Sequence, residues 1–399
     1  MKKILMVLDH EFPHDIRVEK EAKSLINNGY QVVIACFTKQ NRPLKDNYKE
    51  IIINRINISE FMHKTHVGCL KFPFYFQFWT KFLNKILKNE TFHYIHVHDL
   101  PLARVGLNMS KKYHLNYILD LHENWADHLR TARYSNTKLG KLLSNNEQWD
   151  KYETEQVLNA DKVIVVNEFM KKRIEAGSSR QTGIYTVPNY LDLNFIDLQN
   201  SNQNDQKDEQ LCLMYLGGID EIRGVEIVIN GYEIFRKRNP HSKVKLRIVG
   251  TGNPNYISKL KQLALTKDDV IRREIEFEDP VASHLVFNKL NEADILLLPH
   301  VKNKQTDNSS PNKLFEYLYV GKPVVCSNCD SLIPIILENN AGKIYVHDDP
   351  EDFASKIQEL INENLFEFYA ENNKRVVSDR YHWGISEANL LKCYDDFNA

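Results

Sequence analysis

Along this chain, short apolar runs alternate with longer stretches in which apolar residues recur every three to four positions. Residues 4–8, 30–37, 51–58, 94–98, 116–121 and 162–166 are rich in Val, Ile, Leu, Tyr and Phe. Runs of this length and composition predict buried strands of a parallel sheet. Helical spacing from about 16 to 27, stopped by Gly29, separates the first two and gives a βαβ opening. The pattern starts afresh at 211–216 and continues through 245–249, 274–277, 295–299 and 323–326. Between the two series, residues 196–210 are nearly all polar and read as a linker. The expected fold class is α/β, with one doubly wound, Rossmann-like domain over 1–195 and a second over 211–381.

Composition narrows this reading. A chain of 399 residues suits two domains, and 42% hydrophobic residues can fill two cores. The 52 Lys and Arg against 53 Asp and Glu give no basic excess, so nucleic acid is not an expected partner. No stretch approaches 18 uninterrupted apolar residues, and no transmembrane helix is expected. The start, with Lys2 and Lys3 before an apolar run, imitates a signal peptide. That run ends at Asp9 and His10 without a small-residue cleavage site, so it reads as a strand. Cys36, Cys69, Cys212, Cys326, Cys329 and Cys393 are scattered, which fits a reduced, cytoplasmic protein. Cys326 and Cys329 have CxxC spacing but no second pair, so metal or redox chemistry is not expected there.

Candidate chemistry lies at the strand ends. The turn after the first strand lacks the glycine pattern of dehydrogenase folds. It places Asp15 where it can cap the following helix, and Arg17 and Glu21 as an i,i+4 pair. His96 and His98 share one side of their strand, but no third or fourth ligand stands at a known spacing, so no metal is expected. Asp99 follows that strand, and His122 and Glu123 follow the next. Residues 61–89 hold Phe72, Phe74, Tyr75, Phe76, Phe78, Trp79 and Phe82, with Lys64, Lys71, Lys81, Lys85 and Lys88 and no acid. That composition suits a helix lying on an anionic membrane. It equally suits a core helix whose aromatics pack on the sheet.

In the second half, Gly217 and Gly218 open a turn that lets a phosphate approach the backbone, and Arg223 can hold two phosphoryl oxygens. A helix beginning near Pro311 and running to about Val320 follows the strand at 295–299, with Gly321 as its stop. Its N-terminus offers free amides and a partial positive charge, Lys313 adds a cation, and Glu316 can accept two hydroxyl hydrogen bonds. An anion cradle beside a carboxylate suits a sugar nucleotide. The other reading is an ordinary amphipathic helix capped by Ser310.

The string Asn312-Lys313-Leu314-Phe315-Glu316-Tyr317, followed by Gly321-Lys322-Pro323-Val324, resembles the donor-site signature of retaining glycosyltransferases of family 4. Pro13, Asp15, Arg17, Val18, Glu21 and Ala22 resemble the opening of the same family. The turn 217–224 is similar to its donor loop, with Gly218 near the position of an Arg and Arg223 replacing a Lys. The resemblance implies a GT-B architecture of two facing doubly wound domains, with a terminal helix over 382–399 that crosses back to the first. It implies a nucleotide-diphospho-sugar donor, with uridine the expected base, and transfer with retention to a hydroxyl of a glycan or lipid-linked glycan in surface polysaccharide assembly. Gly217, Gly218, Arg223, Val281, Asn308, Asn312, Lys313, Leu314 and Glu316 would bind the donor. His122, Arg223, Lys313 and Glu316 would carry catalysis, and Asp15, Arg17, Asp99, His122 and Glu123 would line the acceptor side. Asn308 stands where the family commonly has Glu, so front-face attack is favoured over a nucleophile there. No cofactor or metal is expected. The protein would work in the cytoplasm or on the inner face of its membrane, with 61–89 as the contact. A GT-B sugar-nucleotide 2-epimerase and a catalytically silent sugar-nucleotide-binding subunit are the alternatives.

Overall fold

The computed structural model describes residues 1–13, 15–131, 146–193 and 210–397. These form two compact units. The first comprises Met1–Asn189 with Gly384–Ala399, and the second Tyr190–Trp383. The division falls at Asn189, so residues 190–193 lie with the second unit. The linker expected at 196–210 lies, apart from Gln210, outside the described residues.

The first unit is built on strands β1 (Lys3–Leu8), β2 (Gln31–Thr38), β3 (Lys45–Tyr48), β4 (Ile51–Asn57), β5 (Tyr94–His98), β6 (Asn116–Leu121), β7 (Lys162–Val165) and β8 (Ile184–Thr186). Their order is β3-β4-β2-β1-β5-β6-β7-β8. All neighbours pair in parallel except β3 with β4. Strand β3 was not expected, because its sequence, Lys-Asp-Asn-Tyr, carries no apolar alternation and forms a largely exposed edge. The helix Ile16–Asn27 matches its expected span and is capped by Asp15, whose carboxylate accepts the amide of Val18 at 3.0 Å. The chain leaves it through Gly29, whose φ of +83° only glycine adopts freely.

The aromatic stretch settles largely into the core. In the helix Phe74–Asn89, Tyr75, Phe76, Trp79, Phe82, Leu83 and Ile86 form one buried stripe against the sheet. The opposite face exposes Phe74, Gln77, Lys81, Lys85 and Lys88, and Phe72 is exposed just before it. The terminal helix Trp383–Asp395 belongs to the first unit from Gly384 onward. Tyr394 is buried there against His96, 2.9 Å from its Nδ1, and Ser386 donates to the carbonyl of Pro188 at 2.6 Å.

The second unit carries β9 (Leu211–Leu216), β10 (Val244–Val249), β11 (Ile275–Glu278), β12 (Ile295–Leu298), β13 (Val324–Ser327) and β14 (Gly342–Tyr345). Their order is β11-β10-β9-β12-β13-β14, parallel throughout. From β9 the chain first builds outward to β10 and β11, then returns to place β12 on the other side. Such a reversal leaves a crevice at the carboxyl ends of the two central strands, where open α/β sheets bind ligands. In the first unit the same reversal falls between the paired neighbours β1 and β5. All six cysteines are buried and free, Cys326 and Cys329 included.

Candidate functional site

The carboxyl ends of β9 and β12 gather the residues singled out in the second half of the sequence. Gly217 leaves β9 with φ +144°, and a Cβ there would lie 1.7 Å from the Lys313 ammonium. Glycine thus makes room for Lys313 to lie across the strand end. Its Nζ donates to the Tyr215 hydroxyl at 3.3 Å and stands 4.7 Å from the centre of that ring. The Tyr215 hydroxyl in turn donates to the carbonyl of Gly218, which is itself exposed. Arg223 ends a single turn, Glu221–Arg223, and its Nη1 donates to His300 Nε2 at 2.9 Å. Gly224, with φ +65°, packs against the carbonyl of Pro299, where a Cβ would come within 1.8 Å. The amide of Val301 donates to the carbonyl of Ile222 at 3.0 Å. The loop after β9 is therefore pinned to the segment after β12 at three consecutive residues.

The helix Asn312–Tyr319 starts one residue later than expected. Pro311 is its N-cap and no side chain caps it, so capping by Ser310 does not occur. Leu314, Phe315, Tyr317 and Leu318 are buried, Asn312 is exposed, and Glu316 is half-buried one turn in. Tyr317 docks the helix on β9, its hydroxyl donating to the Leu216 carbonyl at 3.1 Å. Val281, after β11, packs on the same apolar cluster as Leu314. Asn308 ends the short helix Lys304–Asp307 and donates to the Lys304 carbonyl at 2.7 Å.

Among the described residues no acid is bonded to either Arg223 or Lys313, which makes this an electropositive site. Burial, then the nearby Arg223, push Lys313 down to about 7. Burial, Arg223 and Lys313 push His300 well below the usual histidine range, so its ring is neutral. His300 and Tyr215 were not singled out in the sequence. One is the first polar residue after an apolar run and the other a tyrosine inside one, and neither signals a contact.

The first unit assembles a second cluster at the ends of β1, β5 and β6. Arg17 is buried, and its Nη2 reaches both Asp120 oxygens at 3.0 and 3.2 Å. Its Nη1 donates to the Val187 carbonyl at 2.7 Å, and its Nε lies 3.0 Å from Glu21. The guanidinium thus hydrogen-bonds Asp120 and Val187 and forms an ion pair with Glu21 inside the unit. His122 lies between two carboxylates, its Nε2 3.2 Å from Asp120 and its Nδ1 3.5 Å from Asp99. Burial opposes charge on His122, but Asp99 and Asp120 outweigh it and raise the ring to about 10. His122 is a fixed cation at neutral pH, able to donate but not to take a proton. Asp15 pairs with His10 at 2.9 Å, and Glu123 is turned to His128 at 3.2 Å.

The structure also supplies what the sequence lacked around His96 and His98. Glu21 and Asp120 join them, with ligand atoms all within 4.8 Å of one another. The donor set suits an ion-pair network better than a metal ion. Arg17 already occupies both carboxylates, and a guanidinium beside the position opposes a divalent cation. Burial and Asp120 also drive Glu21 toward its protonated form, a poor ligand.

Comparison with known proteins covers both units. The family "Glycosyltransferase Family 4" matches residues 16–195, and "Glycosyl transferases group 1" matches residues 210–363. A capsular polysaccharide biosynthesis glycosyltransferase of Staphylococcus aureus, CapM, is 22% identical over 249 residues, spanning 60% of this chain and 62% of that relative. An uncharacterized glycosyltransferase of Methanocaldococcus jannaschii is 22% identical over 91% of this chain and 88% of its own. Among solved structures, the sucrose-phosphate synthase of Thermosynechococcus elongatus superposes with a TM-score of 0.75 at 14% identity, covering 100% of this chain and 99% of that one. HepE of Anabaena, in complex with UDP and glucose, does so with a TM-score of 0.71 at 13% identity, covering 99% and 100%.

Proposed function

The chain is a glycosyltransferase of the family-4 type with the GT-B fold, and from that premise we propose that it transfers a sugar from a uridine-diphospho-sugar to a hydroxyl acceptor with retention of configuration. The observation that carries this is the meeting of Lys313, Arg223 and an uncapped helix N-terminus where β9 and β12 end. Cations and amides placed there stabilise the charge that develops on a departing diphosphate. Glu316, one turn into the helix, takes the ribose diol, and Val281 lies beside the base. The UDP complex of HepE supports uridine as that base.

Asn308 is neutral and already bonded to the helix before it, so it cannot act as a nucleophile. The acceptor hydroxyl then attacks the anomeric carbon from the face the diphosphate leaves. The new bond forms as the glycosidic phosphate bond breaks, and the leaving phosphate oxygen takes the acceptor's proton. His122 acts on the transferred sugar through the charge it holds between Asp99 and Asp120, and Asp15, Asp99 and Glu123 serve the acceptor side. No metal takes part. Turnover should be unchanged in EDTA, and its loss there would remove that part of the reading.

Free Lys313 is half-charged near neutral pH, so an incoming diphosphate recharges it. Above pH 7 donor binding should therefore take up close to one proton, and affinity should fall toward tenfold per pH unit. Toward pH 6 the lysine is already charged, and proton uptake by it on binding should vanish. Calorimetry of UDP binding at pH 8 in Tris and in HEPES would give heats that differ by the buffers' ionisation enthalpies. Equal heats would contradict the coupling.

CapM supports an acceptor in surface polysaccharide assembly, a glycan or lipid-linked glycan. The exposed Phe72, Phe74, Lys81, Lys85 and Lys88 support contact with an anionic membrane. Changing Lys81, Lys85 and Lys88 to Glu should reduce co-sedimentation with anionic vesicles severalfold, and unchanged binding would remove the membrane from the reading. The reaction is tested by product analysis with UDP-sugars and a panel of glycan acceptors. Acceptor-dependent release of UDP with a retained linkage is expected. A new sugar nucleotide formed without acceptor would make the protein an epimerase, and binding without turnover a silent subunit.

A further inference from the structure

His300 stands outside every motif of the donor site, yet it is 1% exposed and holds one of that site's two cations. An arginine N–H can only donate, so His300 Nε2 must accept, and the ring proton of the neutral imidazole is then on Nδ1. Nδ1 is buried and has no hydrogen-bond partner among the described residues. An orphaned buried donor costs stability that an apolar side chain in the same place would not. Packing alone therefore does not account for a histidine here. The backbone around it is fixed independently. The His300 carbonyl accepts from Ser327 at 2.6 Å, the Val301 amide bonds Ile222, and Gly224 abuts Pro299. The segment is held whether or not the ring is present, which leaves the ring the task of orienting the guanidinium.

We propose that His300 is a positioning residue of the donor site: its Nε2 accepts one N–H of Arg223 and fixes the guanidinium so that its remaining donors meet the donor's diphosphate. This rests on the reading of Arg223 as a diphosphate ligand. Burial beside Arg223 and Lys313 keeps the ring neutral, so the acceptor lone pair stays available. A lysine at 223 would lack the planar fork, so a bond to the ring would not fix the direction of its remaining donors in the same way.

The test is a double-mutant cycle read as the dissociation constant of UDP. His300→Leu should weaken binding about tenfold. His300→Gln, whose carbonyl can accept the same N–H, should stay within about threefold of wild type. In an Arg223→Ala background His300→Leu should add less than twofold, because nothing is left to position. If His300→Leu weakens UDP equally in both backgrounds, the histidine acts on packing and the proposal falls. It falls also if His300→Leu has no effect while Arg223→Ala does. If Arg223→Ala itself leaves UDP binding unchanged, it is the donor-site reading that fails. His300→Asn serves as a second acceptor-bearing variant should the leucine variant not fold.

Discussion

Arg223→Ala is expected to slow turnover at least tenfold, a loss of about 1.4 kcal/mol from transition-state stabilisation. By its resemblance to the family the loop carries Arg223 in place of a Lys and Gly218 near the position of an Arg, so on the proposed reading the diphosphate relies on Arg223 and Lys313. Lys313 is poised near neutrality by burial beside Tyr215 and by Arg223. Removing Arg223 relieves that repulsion, and Lys313 should then hold its proton to higher pH. The variant should accordingly lose rate while its affinity for UDP varies less with pH above 7 than that of wild type. Removing both cations should cost more than the tenfold of one. Oxyanion-type donors in water-poor sites are each worth a hundredfold or more by about 2.7–4 kcal/mol. Steady-state kinetics of Arg223→Ala across pH 6 to 9 checks both points, and unchanged turnover would remove Arg223 from the site.

The largest effect on stability should come from Asp120→Ala. It strips the buried Arg17 of its bidentate partner and His122 of the carboxylate at its Nε2. Breaking a buried pair from one side costs about 3–5 kcal/mol, because the other charge stays buried and unpaired. For a unit of this size that is a fall in melting temperature of roughly 6–20 °C. Replacing Arg17 by Met together with Asp120 by Leu should cost less than the two single changes combined, since neither charge is stranded. The alkaline limb offers a further check. His122 is raised from 6.5 to about 10, so its stabilising contribution is full below pH 6.5 and is lost as pH rises through about 10. In the Asp120 variant the folded ring should titrate closer to 6.5, so that loss should be smaller and complete at lower pH. Thermal melts from pH 6 to 10 would show it, and identical pH profiles would mean that the pair does not set the charge of His122.

How much of this was legible in the sequence follows from how far each feature depends on its neighbours. The strands β1, β5, β6, β9 and β12 could be read because burial on both faces leaves short apolar runs. The helix after β12 could be placed because Pro311 and Gly321 bracket it, one as cap and one with φ +73°. Strand β3 could not, since an exposed polar edge strand leaves no such trace. The aromatic segment 61–89 was ambiguous for a plain reason. A core stripe and a membrane-facing stripe have the same helical period, and only the sheet beneath Trp79 and Tyr75 decides which face is buried. Arg17 and Glu21 were recognisable as an i,i+4 pair, but Asp120 lies about a hundred residues away and completes their network only through the β1-β5-β6 pairing. His300 was unreadable for a related reason. Its role depends on the loop after β9 reaching the segment after β12, a contact created by the reversal of strand order.

The measurement that bears most directly on the central claim is a thermal-shift panel of UDP, GDP, ADP and CMP on the wild-type protein and on Glu316→Ala. A nucleotide at a hundred times its dissociation constant stabilises by about 2.7 kcal/mol, several degrees for a unit of this size. UDP should shift the wild type and leave Glu316→Ala nearly unmoved, with the other nucleotides giving little. A shift of equal size in both proteins, or none from any nucleotide, would contradict a sugar-nucleotide site at the end of β9 and β12.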